Sequence, residues 1–257
     1  KTLLQMLKHR LIAVIIIRDG QVVQSEKFKH TNVIHYDAFH AVEAFNNWSV
    51  DEILLLNVSK NHSSQKKFLE IVKHVSKTCF VPLTVGGYID SVAYGSSLIF
   101  SGADKLVINT LWKSDIETVR SLSGRFGRQC IVASIDVKMN NQNLKEVHVN
   151  RGEVNIGRNA VQWAEFCEKN GAGEIFFNNI DHDGNRKGYD TETISKISKK
   201  VKIPIIAFGG VFSWKHMLEG LNAGADAVAA ANIFHYKEMA TKQAKKYLSR
   251  QNIKIRI

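Results

Sequence analysis

Two segments of this chain are built alike and differ at one chemically decisive position. Residues 10–23 read RLIAVIIIRDGQVV and residues 129–138 read QCIVASIDVK; Asp136 of the second falls where the first has Ile16. A carboxylate at such a place can take or give a proton, and isoleucine can do neither. Two glycine pairs, Gly86-Gly87 and Gly209-Gly210, each follow an apolar run. Glycine lets backbone N–H groups come close to an anion, which suits a phosphate. Small polar pairs, Asn109-Thr110 and Ala231-Asn232, end two further runs. The segment NNIDHDGNRKGYD (178–190) offers the carboxylates of Asp181 and Asp183 and the N–H of Gly184. Plain turn chemistry is the alternative for the glycine pairs and for the Asp/Gly segment. His30, His35 and His40 match no zinc spacing and fall in an expected loop, so neither a metal nor a cofactor is expected.

Positioning these groups requires a regular frame. Apolar β-branched runs predict strands at 11–17, 52–58, 81–85, 105–109, 129–136, 174–179, 203–208 and 226–231. Helical periodicity lies between them, for example at 63–77, 159–170, 190–200 and 236–249. Strands this apolar cannot face water on either side, and eight of them alternating with helices predict a closed (β/α)₈ barrel rather than an open doubly wound sheet. The chain also repeats itself. Glu52 and Glu174, Pro82 and Pro204, and Asp104 and Asp226 are each separated by 122 positions. A duplicated half-barrel, about 10–125 and 126–250 within one domain spanning 1–257, is the expected organisation. Ligands of such a barrel meet the C-terminal strand ends, where both glycine pairs then sit on opposite sides of one mouth. That placement fits a long substrate phosphorylated at each end.

The bulk properties narrow the setting. The chain has 257 residues, 44% of them hydrophobic, which is enough for a large core. No apolar run reaches the ~18–20 residues of a membrane span, and KTLLQMLKHR at the start carries no cleavage-site pattern. Cys79, Cys130 and Cys167 read as small buried residues of a reduced, cytoplasmic protein. The net charge of +11 suits an anionic small molecule or an acidic protein partner. Nucleic acid is not expected, because lysines such as Lys66, Lys67, Lys199, Lys200, Lys245 and Lys246 scatter over helical segments as a solvated surface.

The combination of RLIAVIIIRDGQVV, VDEILLLNVS, VPLTVGGYI, GADKLVINT, IVASIDVK, GAGEIFFNNIDHDGNRKGYDTE, IPIIAFGG and GADAVAAANIFHY resembles the cyclase subunit of imidazole glycerol phosphate synthase from about Arg10 to Ile257. The resemblance implies a barrel that pairs with a glutaminase, receives ammonia through its interior and closes an imidazole ring. It implies a catalytic pair of aspartates, of which Asp136 is kept and the other is replaced by Ile16. It implies phosphate contacts at Gly86, Gly87, Asn109, Thr110, Asp183, Gly184, Gly209, Gly210, Ala231 and Asn232, although Tyr88, Phe208, Asn57, Gln24 and Asn232 depart from the family's pattern. At the barrel floor it implies an ammonia gate of Arg10, Glu52, Lys105 and Glu174, with Asp104 and Gln129 facing the glutaminase. Such charges can satisfy one another only if they are grouped.

With the gate kept and the reaction end altered, the reading is a divergent cyclase-like barrel. It resembles the ammonia-supplying proteins of sugar amidation in surface-polysaccharide synthesis, a group that SEKFKHTNVI (25–34) also fits. A genuine lyase of histidine biosynthesis using Asp19 or Asp181 as the missing acid, and a non-catalytic glutaminase activator, are the alternatives.

Overall fold

The computed structural model describes residues 8–26, 30–35, 37–59, 64–235 and 239–256. Eight parallel strands form the barrel: β1 (Arg10–Arg18), β4 (Glu52–Asn57), β5 (Leu83–Gly86), β6 (Lys105–Ile108), β7 (Ile131–Met139), β10 (Glu174–Asn179), β11 (Ile205–Phe208) and β12 (Ala227–Ala230). Each pairs with the next, and β12 returns to β1 while β7 pairs with β10, so no edge is left open. The expected (β/α)₈ barrel is what the chain forms. Its helices include α1 (Ala38–Asn47), α2 (Ser64–Val75), α3 (Val92–Phe100), α4 (Leu111–Ser114), α5 (Ile116–Phe126), α6 (Ala160–Lys169), α7 (Thr191–Ser198), α8 (Trp214–Asn222), α9 (Asn232–His235) and α10 (Ala240–Arg250).

The run Leu11–Ile17 contains no polar residue because both faces of β1 are buried. Successive side chains alternate, so Leu11, Ala13, Ile15 and Ile17 pack toward the helices while Ile12, Val14 and Ile16 fill the barrel interior. The repeat also has a physical basis at the strand starts. Asp104 Oδ2 accepts the N–H of Leu83 at 2.7 Å, and Asp226 Oδ2 accepts that of Ile205 at 2.9 Å. Pro82 and Pro204, which have no N–H to give, each accept from the neighbouring strand through their carbonyls. For that reason β5 and β11 begin one residue after proline, inside the expected bounds.

Several expectations are corrected. Lys245 is not on the solvated surface: it is buried, and its ammonium donates to Asp51 Oδ1 at 2.6 Å. Asp51 Oδ2 in turn accepts the Leu11 N–H at 2.7 Å, so α10 is tied to the start of β1. Only Cys167 of the three cysteines is buried; Cys79 and Cys130 are half-buried, and all three are free thiols. The three histidines lie on regular elements rather than in a loop. His30 and His35 bound strand β3 (His30–His35), which pairs with β2 (Gln21–Glu26), and His40 lies in α1. A second hairpin, β8 (Lys145–Val149) with β9 (Val154–Asn155), follows β7 in the other half. Both hairpins extend the C-terminal ends of equivalent strands, over the mouth. Of the predicted helix 236–249, the first three residues lie outside the described residues, as does part of SEKFKHTNVI, Lys27 to Lys29. No described helix is long and apolar enough to cross a membrane.

Candidate functional site

At the barrel mouth Asp136 sits at the inward-facing end of β7, 6% exposed. Its two oxygens accept from Asn109 Nδ2 at 3.1 Å and Asn178 Nδ2 at 3.2 Å. Burial pushes its carboxyl up to about 7; the Asn178 hydrogen bond works against this, and the nearby charge of Asp183 adds to it. A group titrating there can exchange protons at neutral pH. Ile16, 4% exposed, lines the same 760 Å³ cavity.

Neither Asp19 nor Asp181 lines that cavity, and buried Asp183 lines the neighbouring pocket. Asp181 Oδ2 is held by the Met139 N–H at 2.7 Å, and Asp19 is exposed beside Arg18. The second acid of the cavity wall is Glu153 in the β8–β9 turn, exposed and bonded to Asn150 Nδ2 at 3.0 Å. Neither acid proposed as a replacement therefore stands across from Asp136.

The candidate phosphate residues fall into two groups. Asp183, Gly184, Gly209, Gly210, Ala231 and Asn232 come together around a separate 150 Å³ pocket, which also holds Gln24 and Arg186. Arg186 stacks its guanidinium 4.3 Å over the Phe212 ring at that rim. Gly209 and Gly210 have positive φ, and a Cβ on Gly210 would meet the carbonyls of Gly188 and His182 below 3.0 Å. In the first half Gly87, Asn109 and Thr110 line the large cavity, but Gly86 does not. A Cβ there would collide with Val107, so packing alone explains Gly86. Tyr88 follows at φ 54°, a left-handed conformation that is costly for an aromatic residue. Its hydroxyl donates to the Ser59 carbonyl. Sequence reasoning missed Arg18, Lys138, Asn150, Arg151 and Glu153, which also form the cavity wall. Three of these belong to the β8–β9 turn, whose hairpin had no strong strand pattern to announce it.

At the opposite end the four floor charges form a closed ring. Arg10 donates to Glu52 Oε2 at 2.6 Å and to Glu174; Lys105 Nζ lies 3.0 Å from Glu52 Oε2 and 2.9 Å from Glu174 Oε2. Thr84 Oγ1 adds a 2.6 Å bond to Glu52. Burial opposes ionisation of Glu52, but Lys105 and Arg10 outweigh it and hold the carboxyl below its ordinary range. Burial likewise works against the Arg10 charge, and Glu174 and Glu52 more than offset it. Above the ring the interior is filled by Ile12, Val14, Leu54, Val132, Phe176 and Ile206, with Phe176 stacked on Phe208 at 4.9 Å. Asp104 and Gln129 are exposed on the floor side. No group of three or more potential metal-ligating side chains occurs among the described residues.

A closed barrel with a cavity and a glycine-bordered pocket at the strand C-termini and an ionic ring at the opposite end defines the class: (β/α)₈ barrels whose ligand end is the mouth. The family model described as "Histidine biosynthesis protein" matches residues 10–240, and the chain belongs to that family. It is 38% identical over 256 residues to the imidazole glycerol phosphate synthase subunit HisF of Chlorobaculum parvum, covering 98% of this chain and 100% of the relative. It is 35% identical over 251 residues to HisF of Endomicrobium trichonymphae, covering 98% and 96%.

Proposed function

We propose that this chain is the barrel subunit of a glutamine-dependent ammonia-transfer complex, and that its mouth has lost ring closure. Ile16 carries the reading: it is buried against the cavity of Asp136, whose wall offers one other acid, exposed Glu153, while buried Asp183 lines the neighbouring pocket. A glutaminase would dock on the floor around Asp104 and Gln129, and ammonia would enter past Arg10, Glu52, Lys105 and Glu174. The packed apolar interior admits neutral ammonia better than ammonium, since an unpaired charge there is costly. Passage then relies on brief side-chain displacement around Phe176 and Phe208 rather than on an open bore. The pocket bordered by Gly209-Gly210 would hold the phosphate of an anionic ligand. The acceptor we favour is an enzyme amidating a sugar for surface polysaccharide, with the complex cytoplasmic.

A second reading, a genuine cyclase of histidine biosynthesis, is favoured by the similarity to HisF subunits along the whole chain and by the titration of Asp136 near neutrality. Two measurements separate the readings. Supplied with ammonium salt and the ribulosyl ribotide intermediate, the purified chain should show no ring closure, and robust turnover would overturn our proposal. With its glutaminase and acceptor present, a scavenging enzyme in solution should fail to intercept the ammonia. Complete interception would reduce the chain to a glutaminase activator. Ile16→Asp, assayed beside the unmodified chain, should restore little, because Tyr88 and Phe208 still occupy the cavity wall.

A further inference from the structure

We propose that Tyr88 is a latch: through Arg151 it holds the β8–β9 turn, residues 150–153, against the barrel mouth, and the large cavity opens when this contact breaks. The device is independent of ammonia transfer and of which ligand the cavity takes.

Tyr88 reaches two other segments at once. Its hydroxyl donates to the Ser59 carbonyl, just past β4, and accepts from Arg151 Nη1 at 3.3 Å. Three stretches far apart in the chain thus meet at one phenol oxygen. The tyrosine holds a left-handed backbone, φ 54°, which is costly for a residue with a side chain. Gly210, 122 positions further on, is left-handed too, but a Cβ there would meet the carbonyls of Gly188 and His182. The second half therefore has no room for a ring where the first half carries one, and the latch belongs to one side of the mouth.

The hairpin is held unequally along its length. At its root Lys145 Nζ donates to buried Asp190 Oδ1 at 2.8 Å, β8 pairs with β7 from Asp136 to Met139, and Val147 and Val149 are buried. At its tip Asn150, Arg151 and Gly152 pass through three successive left-handed conformations, and Val154 is 44% exposed. A second bond, from the Asn150 N–H to Thr110 Oγ1 at 3.2 Å, joins the tip to the end of β6. The Arg151 Nε–H is shut off from solvent with no acceptor, a donor that lifting the turn would return to water. Long hydrogen bonds and little buried apolar surface mark the tip as the part that opens first. Asn150, Arg151, Gly152 and Glu153 all form the cavity wall, so lifting them uncovers the space that holds Asp136 and Ile16.

Hydrogen exchange and cysteine labelling test this together. The Asn150 and Glu153 amides are hydrogen-bonded and report opening of the tip. Tyr88→Phe keeps the ring and removes the hydroxyl; it should speed their exchange about three- to tenfold, the loss expected of one hydrogen bond. Arg151→Met should do the same, and the double variant should be no faster than either, because both changes break one contact. In an Ile16→Cys background, labelling of position 16 by iodoacetamide, read by mass spectrometry, should rise with Tyr88→Phe by a similar factor. The proposal is overturned if neither variant changes the exchange, if the two effects multiply, or if labelling stays constant while exchange speeds up. A rise shared by the amides of α10 in both variants would mean general loosening and would overturn it equally.

Discussion

Glu52→Ala should lower the unfolding free energy by about 3–5 kcal/mol, the range for removing one partner from a buried ionic group. Glu52 is 1% exposed and receives Arg10, Lys105 and Thr84, so its loss strips three donors at once. Glu174 alone would then face two cations. Urea unfolding measures the loss directly; in a chain of this size it corresponds to a fall of roughly 6–20 °C in Tm. A change below about 1 kcal/mol would mean that the ring contributes little to the fold. The companion variant replaces the whole ring by apolar residues: Arg10→Met, Glu52→Leu, Lys105→Met and Glu174→Leu together. Such replacements often equal or exceed the stability of the ionic original. If this variant is as stable as the native chain, stability is not the reason for four charges at the floor. A role in admitting ammonia then gains weight, and the assay of ammonia transfer becomes the deciding one.

Asp136→Asn should stabilise the fold above pH 7 by about 4 kcal/mol and leave it nearly unchanged at pH 4. The carboxyl titrates at about 7 in the folded chain, against an ordinary value of 3.8. Below the ordinary value it is neutral in both states and costs nothing. As pH rises from about 4 to 7 the unfolded chain releases the proton while the folded chain keeps it. Stability therefore falls by about 1.4 kcal/mol per pH unit over that window and is level above it. Asparagine removes this dependence because it has no charge to bury. Its amide can also be satisfied: Asn178, whose Oδ1 has no donor, could turn to accept from it. Urea midpoints of the two proteins across pH 4–8 should diverge with rising pH, and parallel curves would contradict the assignment. The buried or half-buried acids held below their ordinary range, Glu52 and Asp190 among them, weaken the fold as pH falls, in both proteins alike. The difference between the curves therefore isolates Asp136.

The barrel was legible in the sequence because each barrel strand has both faces buried, so its residues read as continuous apolar runs with little room for other interpretation. The 122-residue repeat was legible for a related reason. Each copy carries the same local duties, such as the Asp104 and Asp226 carboxylates that hold the starts of β5 and β11. Asp136, Ile16 and the four floor charges could likewise be named from their place in the repeat and the family resemblance. Whether the charges met, and what the aspartate felt, could not.

Those answers depend on residues brought together from far along the chain. Arg10 meets Glu174 from 164 positions away, and Lys245 meets Asp51 from 194, which turned an apparent surface lysine into a buried one. Arg151 belongs to a short, polar hairpin turn that no periodicity marks, yet the fold sets it against Tyr88 over the mouth. The sequence by itself determined the barrel, the 122-residue spacing of its like elements and the isoleucine at position 16, because these follow from residue type and local pattern. Only the tertiary structure decided the closed ring, the near-neutral titration of Asp136 and the cationic wall. Distance, desolvation and charge pairing exist only once the chain has closed on itself.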